Sequence, residues 1–168
     1  MPFESEKLFE EYIRKLISKH ILAKDKTLIM FENKKAVDIL LCRNGSKPAL
    51  YFLEIKYHKR SHGRLSTGHS KGGGFQPEVL SRLPTYFEKN MRWVLGVEDI
   101  DGYWVLKNSE LKEYLSGGTI GKKHNNIQAK LFKEELPLTE KQFIASLKTW
   151  LLLAAKANGY QLVKNKKT

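Results

Sequence analysis

Asp38, Glu54 and Lys56 are charged residues set inside two of the most apolar stretches of the chain, AVDILLCR (36–43) and ALYFLEIKY (49–57). Side chains alternate across a β-strand, so Glu54 and Lys56 share one face and Ile55 takes the other. Asn44–Gly45 is a hairpin-type signal, which makes the two stretches neighbouring strands and lets Asp38 stand beside Glu54. Two carboxylates and an ammonium then converge on one apolar face. Burying charges without partners is costly, and a divalent cation held by the two carboxylates offsets that cost. A few oxygen ligands with positions left for water and phosphate suit magnesium. Such an ion polarises a phosphodiester and lowers the pKa of a bound water. Lys56 is then placed to orient or deprotonate the attacking water, or to stabilise developing charge, and the residues alone leave these roles open. The plain alternative is a carboxylate in a structural ion pair with Lys56. All three residues together, in apolar strands of a basic protein, favour chemistry.

The elements needed to position this trio are legible around it. Residues 5–22 read as an amphipathic helix with Phe9, Ile13, Leu16, Ile17 and Ile21 on one side. Ser5 serves as N-cap, and Glu6, Glu10 and Glu11 suit the dipole of the first turns. TLIMFE (27–32) is a first strand, 36–43 a second, and 49–57 a third, apolar enough to be central. A helix is expected from Pro77 to about Lys89, with Gln76 at its mouth and Pro84 kinking or shortening it. RWVLGV (92–97) and GYWVLK (102–107) are two further strands, Ser109–Leu115 a short helix, and 116–135 irregular and basic. Thr139–Ala157 is a long helix with Phe143, Leu147, Trp150, Leu151 and Ala154 on one side. Strands before and after a connecting helix predict an α/β fold, a mixed sheet with helices on its faces.

The chain of 168 residues suits one domain. Its formal net charge of +12 predicts a polyanionic partner, nucleic acid first. The charge is unevenly placed. Residues 55–74 carry five basic side chains and no acidic one, and residues 107–168 carry twelve basic against five acidic. No apolar run approaches the roughly 18 residues of a membrane helix, and the start, MPFESEK, is unlike a signal peptide. The single cysteine, Cys42, excludes an intrachain disulfide and a multi-thiolate zinc site. These features suggest a soluble, cytoplasmic protein with no membrane partner. Residues 58–74 hold five glycines and no apolar periodicity, which reads as a loop. It leaves the strand just after Lys56, so Lys59, Arg60, Arg64 and Lys71 are expected at DNA phosphates. His58, His62 and His69 match no strong zinc spacing and are read as surface or phosphate-contacting residues. Lys122, Lys123, Lys130 and Lys133 are candidates for a second contact strip.

VDILL followed by FLEIK resembles the PD-(D/E)xK nuclease superfamily, which includes many restriction endonucleases and Holliday-junction resolvases. Val37 stands where the motif's name has proline. The inferred element order, over roughly residues 5–106, also resembles that superfamily's restriction-endonuclease-like αβββαβ core, with the C-terminal third as helical additions. The resemblance implies that Asp38 and Glu54 are metal ligands, the main-chain carbonyl of Ile55 a third, and Lys56 the catalytic lysine. It further implies a glutamate from the first helix near the metal. Glu6 and Glu10 are the candidates, since Glu6 projects between the directions of Ile13 and Ile17 and Glu10 lies at the edge of that side, whereas Glu11 points away. Gln76 resembles a glutamine found near the site in some members.

The function expected from this reading is a magnesium-dependent DNA endonuclease, with manganese able to substitute. A type II restriction endonuclease, or its cleaving subunit, ranks first because residues 107–168 exceed what a minimal junction resolvase needs. One active site cuts one strand, so a homodimer or a partner subunit is expected. A Holliday-junction resolvase is the alternative enzyme, and a non-catalytic DNA-binding module on the same fold the alternative from another class.

Overall fold

A computed structural model of the chain describes residues 3–31, 37–45, 48–59, 65–66, 82–118, 120 and 126–159. The chain enters through helix α1, Glu6–Ile17, continued by a π-helical turn, Ser18–Leu22. Ser5 caps it by accepting from the Leu8 N–H at 3.2 Å, as its position before the apolar repeat leads one to expect. Three antiparallel strands follow: β1 (Leu28–Phe31), β2 (Ile39–Arg43) and β3 (Ala49–His58). Helix α2, Pro84–Asn90, leads to β5 (Met91–Val97), which lies parallel to β3, and β6 (Ile100–Leu106) returns antiparallel to β5. The result is a mixed five-stranded sheet of order β1-β2-β3-β5-β6 with β3 at its centre. This bears out the expected α/β class and a mixed sheet flanked by helices.

Each face of the sheet carries its own core, as the two-sided apolarity of β3 requires. On one face Leu41, Leu53, Ile55 and Tyr57 pack against Phe9, Ile13 and Ile17 of α1 and against Phe143, Leu147 and Trp150 of the C-terminal helix α5, Glu140–Ala157. On the other, Trp93, Leu95 and Trp104 meet Phe87 of α2, Leu111 of α3 (Asn108–Glu113) and Leu131 of α4 (Leu131–Glu134). Thr139 and Gln142 form a capping box at the start of α5. The C-terminal helix is thus part of the first core.

Several boundaries differ from the sequence expectation, each for a local reason. Asp38, expected inside the second strand, precedes it, because its own carboxylate takes the Ile55 N–H that a longer ladder would have used. Pro84 is the first residue of α2, where a missing N–H costs nothing. Residues 77–81, expected to begin it, and Gln76 lie outside the described residues. Residues 116–135, expected to be irregular, hold β7 (Asn126–Ile127) and α4. β7 pairs with a two-residue strand β4 (Leu65–Ser66) from the segment expected to be a loop. Ile127, Leu65 and Leu131 are buried there, but elements of two to four residues are too short to show a period.

At the far end of β2 a buried base meets a single acid. Arg43, 4% exposed, donates to Asp25 Oδ2 at 2.8 Å and to Thr27 Oγ1 at 2.7 Å. Burial works against the Asp25 carboxylate, but hydrogen bonds from Thr27 and Arg43 hold it below its ordinary value.

Candidate active site

The candidate site forms where β3 outruns its neighbour. The β2–β3 ladder begins at Ile39, paired with Leu53, and β3 continues to His58. Among the described residues, carboxylates take the place of a partner strand there. Asp38 Oδ2 accepts from the Ile55 N–H at 2.6 Å, and Glu6 Oε2, reaching over from α1, accepts from the Tyr57 N–H at 3.1 Å. A residue's N–H and C=O lie on the same side of a strand, so the Ile55 carbonyl also faces this open edge.

Alternation sends Glu54 and Lys56 to the face opposite Ile55 and Tyr57, as the sequence requires. Both are buried, Glu54 at 1% and Lys56 at 9% exposure. The Lys56 ammonium lies 3.3 Å from Glu54 Oε1, 3.4 Å from Glu6 Oε1 and 4.0 Å from Asp38 Oδ2. One cation therefore faces three carboxylates. The second Glu54 oxygen, Oε2, is buried with no hydrogen-bond partner among the described residues.

The electrostatics follow from that imbalance. Burial pushes the Glu54 carboxyl up to about 7; Lys56 pulls it down, while Asp38 and Glu6 add to the rise. Burial likewise raises Asp38, against the pull of Lys56 and the Ile55 N–H, and the nearby Glu10 and Glu6 charges push the same way as burial. Burial favours loss of the Lys56 proton, yet Glu54, Glu6 and Asp38 together hold its pKa above the ordinary lysine value. Lys56 is therefore an ammonium here, a donor and a positive charge rather than a base.

The structure brings Asp38, Glu54, Lys56 and Glu6 together. Glu10, one helical turn after Glu6, is engaged by Arg14, whose Nε donates to Glu10 Oε1 at 2.8 Å. The same guanidinium donates through Nη2 to the main-chain carbonyl of Asp38. Arg14 was not singled out from the sequence; the available signal was its spacing, since residues 6, 10 and 14 form one i, i+4 stripe on α1. Glu11 is exposed, as expected. Lys59, expected at a DNA phosphate, is engaged within the chain in this structure. Its odd position sends it to the α1 side, where Nζ donates to the Glu4 carbonyl at 2.9 Å. His58 is half-buried on the Glu54–Lys56 side, and its Nδ1 has no partner among the described residues. Arg60, Arg64, Lys71, Gln76, His62, His69, Lys122 and Lys123 lie outside the described residues. Lys133 is exposed, and Lys130 pairs with Glu134 at 3.5 Å.

Among the described residues no group of three or more His, Cys, Asp or Glu side chains is arranged to hold a metal ion, and the Lys56 ammonium takes the centre of the carboxylate cluster. The smaller set of two carboxylates and one carbonyl does suit a hard cation in its donor chemistry. The unpartnered Glu54 oxygen and the excess of carboxylate over ammonium are both relieved by added positive charge.

Fold and site together define a mixed α/β protein with a lysine-centred acidic cluster at the open edge of its central strand. No family model matches the chain, and none of the curated proteins or solved structures compared with it is a match. No described helix is long and apolar enough to cross a membrane.

Proposed function

We propose that this protein is a magnesium-dependent DNA endonuclease of the restriction-endonuclease type, with Asp38, Glu54 and Lys56 as its catalytic residues and Glu6 as the fourth polar group. The observation that carries the reading is the convergence of three carboxylates on one buried ammonium, with a Glu54 oxygen left unpartnered. Sequence resemblance to VD…ExK nucleases and the net charge of +12 support it. Asp38, Glu54 and the Ile55 carbonyl would hold the cation, which supplies Lewis acidity toward a phosphodiester oxygen and a water of lowered pKa. Asp38 keeps its orientation through the Ile55 N–H. Lys56, held protonated, donates to the attacking water or to the developing charge on phosphorus-bound oxygen. The basic segment after β3 supplies phosphate contacts, with Arg60 and Arg64 as the residues proposed for them. Two copies, or one copy and a partner subunit, cut the two strands.

The test is incubation of supercoiled plasmid with wild-type protein and Asp38→Asn, with and without Mg2+. Fixed fragment ends that need Mg2+ and Asp38 support the proposal. Cleavage confined to an added four-way junction would replace it with a junction resolvase. No cleavage by either protein, with DNA binding intact, would leave a non-catalytic DNA-binding module.

A further inference from the structure

Arg14 has no part in the chemistry just described, yet it touches the main chain of Asp38 and is itself held by Glu10. Its Nη2 donates to the Asp38 carbonyl and its Nε to Glu10 Oε1, at 2.8 Å. Asp38 stands outside the β2 ladder, which begins at Ile39. Its main chain therefore lacks the cross-strand bonds that fix Glu54 and Lys56, both paired with β5. The position of the Asp38 carboxylate depends on what holds this start of the strand, Val37 in the second core and Arg14 from α1.

We propose that Arg14 is a positioning residue for Asp38: its planar fork, oriented by Glu10, ties the Asp38 main chain to α1 and so aims the carboxylate at Ile55 and Lys56. A guanidinium can hold two acceptors in fixed directions at once, which a lysine ammonium on a flexible stem does poorly. Glu10, on this account, orients Arg14 rather than binding a ligand, and Glu6 is the helix carboxylate that reaches the site. The Arg14 charge also sits beside Glu10 and the Asp38 main chain. For a bound metal this inference rests on the function proposed above; for the geometry of Asp38 it does not.

The experiment separates the two. Amide hydrogen exchange of metal-free wild-type protein, Arg14→Lys and Glu10→Gln reads the Asp38–Ile55 bond without any ion or substrate. Ile55 donates to Asp38 and Tyr57 donates to Glu6, two residues along the same edge, so Tyr57 is an internal control. Arg14→Lys is expected to speed exchange at Ile55 at least tenfold more than at Tyr57. Glu10→Gln, which keeps an acceptor for Arg14, should leave both near wild type. Mn2+ titration of the same proteins should show affinity about ten- to a hundredfold weaker in Arg14→Lys, the usual range for loss of a residue that orients a ligand. Equal effects at Ile55 and Tyr57, or none at either, overturn the positioning role. A selective change at Ile55 with no Mn2+ binding by wild type upholds it and removes the metal site instead.

Discussion

Both ends of β2 bury a base with acids, and the two clusters are opposites. At the Arg43 end, one guanidinium meets one carboxylate and a hydroxyl, and Asp25 is held below its ordinary pKa. At the Asp38 end, one ammonium meets three carboxylates, and Glu54 is pushed up to about 7. Buried ion pairs are stable when charges and hydrogen bonds balance. The first cluster balances one guanidinium against one carboxylate and serves the fold, closing the turn between α1 and β1 onto β2. The second carries an excess, three carboxylates against one ammonium, and on the function proposed above that excess is what a bound cation would offset. Groups perturbed by burial and by like charges are characteristic of functional sites.

The sharpest way to break the comparison is to remove one acid from the Asp38 end. Asp38→Asn keeps an acceptor for the Ile55 N–H and relieves crowding, so thermal unfolding should be unchanged or slightly raised. Plasmid cleavage should fall on the order of 10^3-fold, the scale of several kcal/mol of lost metal-assisted stabilisation. Unimpaired cleavage would make the acidic cluster structural, like its counterpart.

The next largest effect is in pH. Metal-free Glu54 keeps its proton up to about 7, whereas the unfolded chain releases it near 4.5. The native state then binds more protons between these values, so stability falls as pH rises from about 4.5 to about 7 and levels off above. The whole change is about 3 kcal/mol for this group. Glu54→Gln should abolish it, as read by urea unfolding across that range in the presence of a chelator. Asp25 has the opposite sign. Its contribution is present above its ordinary value of 3.8 and is lost as pH falls below it. Asp38, also raised, adds a smaller fall of the same sign as Glu54 from its ordinary value of 3.8 upward, so a Glu54→Gln protein that loses as much stability as wild type between pH 4.5 and 7 would refute the assignment. Smaller again is Arg43→Met, which should cost about 2 kcal/mol in unfolding, the range for hydrogen bonds to a charged group, and leave cleavage by the folded protein intact.

How much of this was legible beforehand follows from what each feature depends on. The shared face of Glu54 and Lys56 is a consequence of strand alternation and needs only local sequence. Asp38 beside Glu54 required one turn signal, Asn44–Gly45. Glu6 emerged from helical periodicity together with a family resemblance. Arg14 did not, because its partner is the main chain of a residue 24 positions away, and no spacing rule encodes a side chain meeting a carbonyl. The end of β2 at Ile39 was missed for a related reason: a side-chain carboxylate substitutes for the ladder, and Asp38 inside an apolar run reads as strand. β4, β7 and α4 are fixed by tertiary burial of Leu65, Ile127 and Leu131, too few residues to carry a pattern.

Lys59 shows how placement divides residues that look alike in sequence. It belongs to the same acid-free segment as Arg60 and Arg64, yet its ammonium donates to the Glu4 carbonyl on the α1 side of the sheet. A base satisfied by its own chain releases few counterions when DNA binds. Each phosphate contact contributes about 0.9 to the slope of log affinity against log salt. Replacing Arg60 and Arg64 by Gln should flatten that slope by about 2, measured by fluorescence anisotropy on a duplex between low and moderate salt. Lys59→Gln should leave it unchanged and instead loosen the N-terminal segment before α1. The reverse result would put the phosphate track on the α1 side of β3, away from Glu54 and Lys56, and with it the scissile bond out of reach of the acidic cluster.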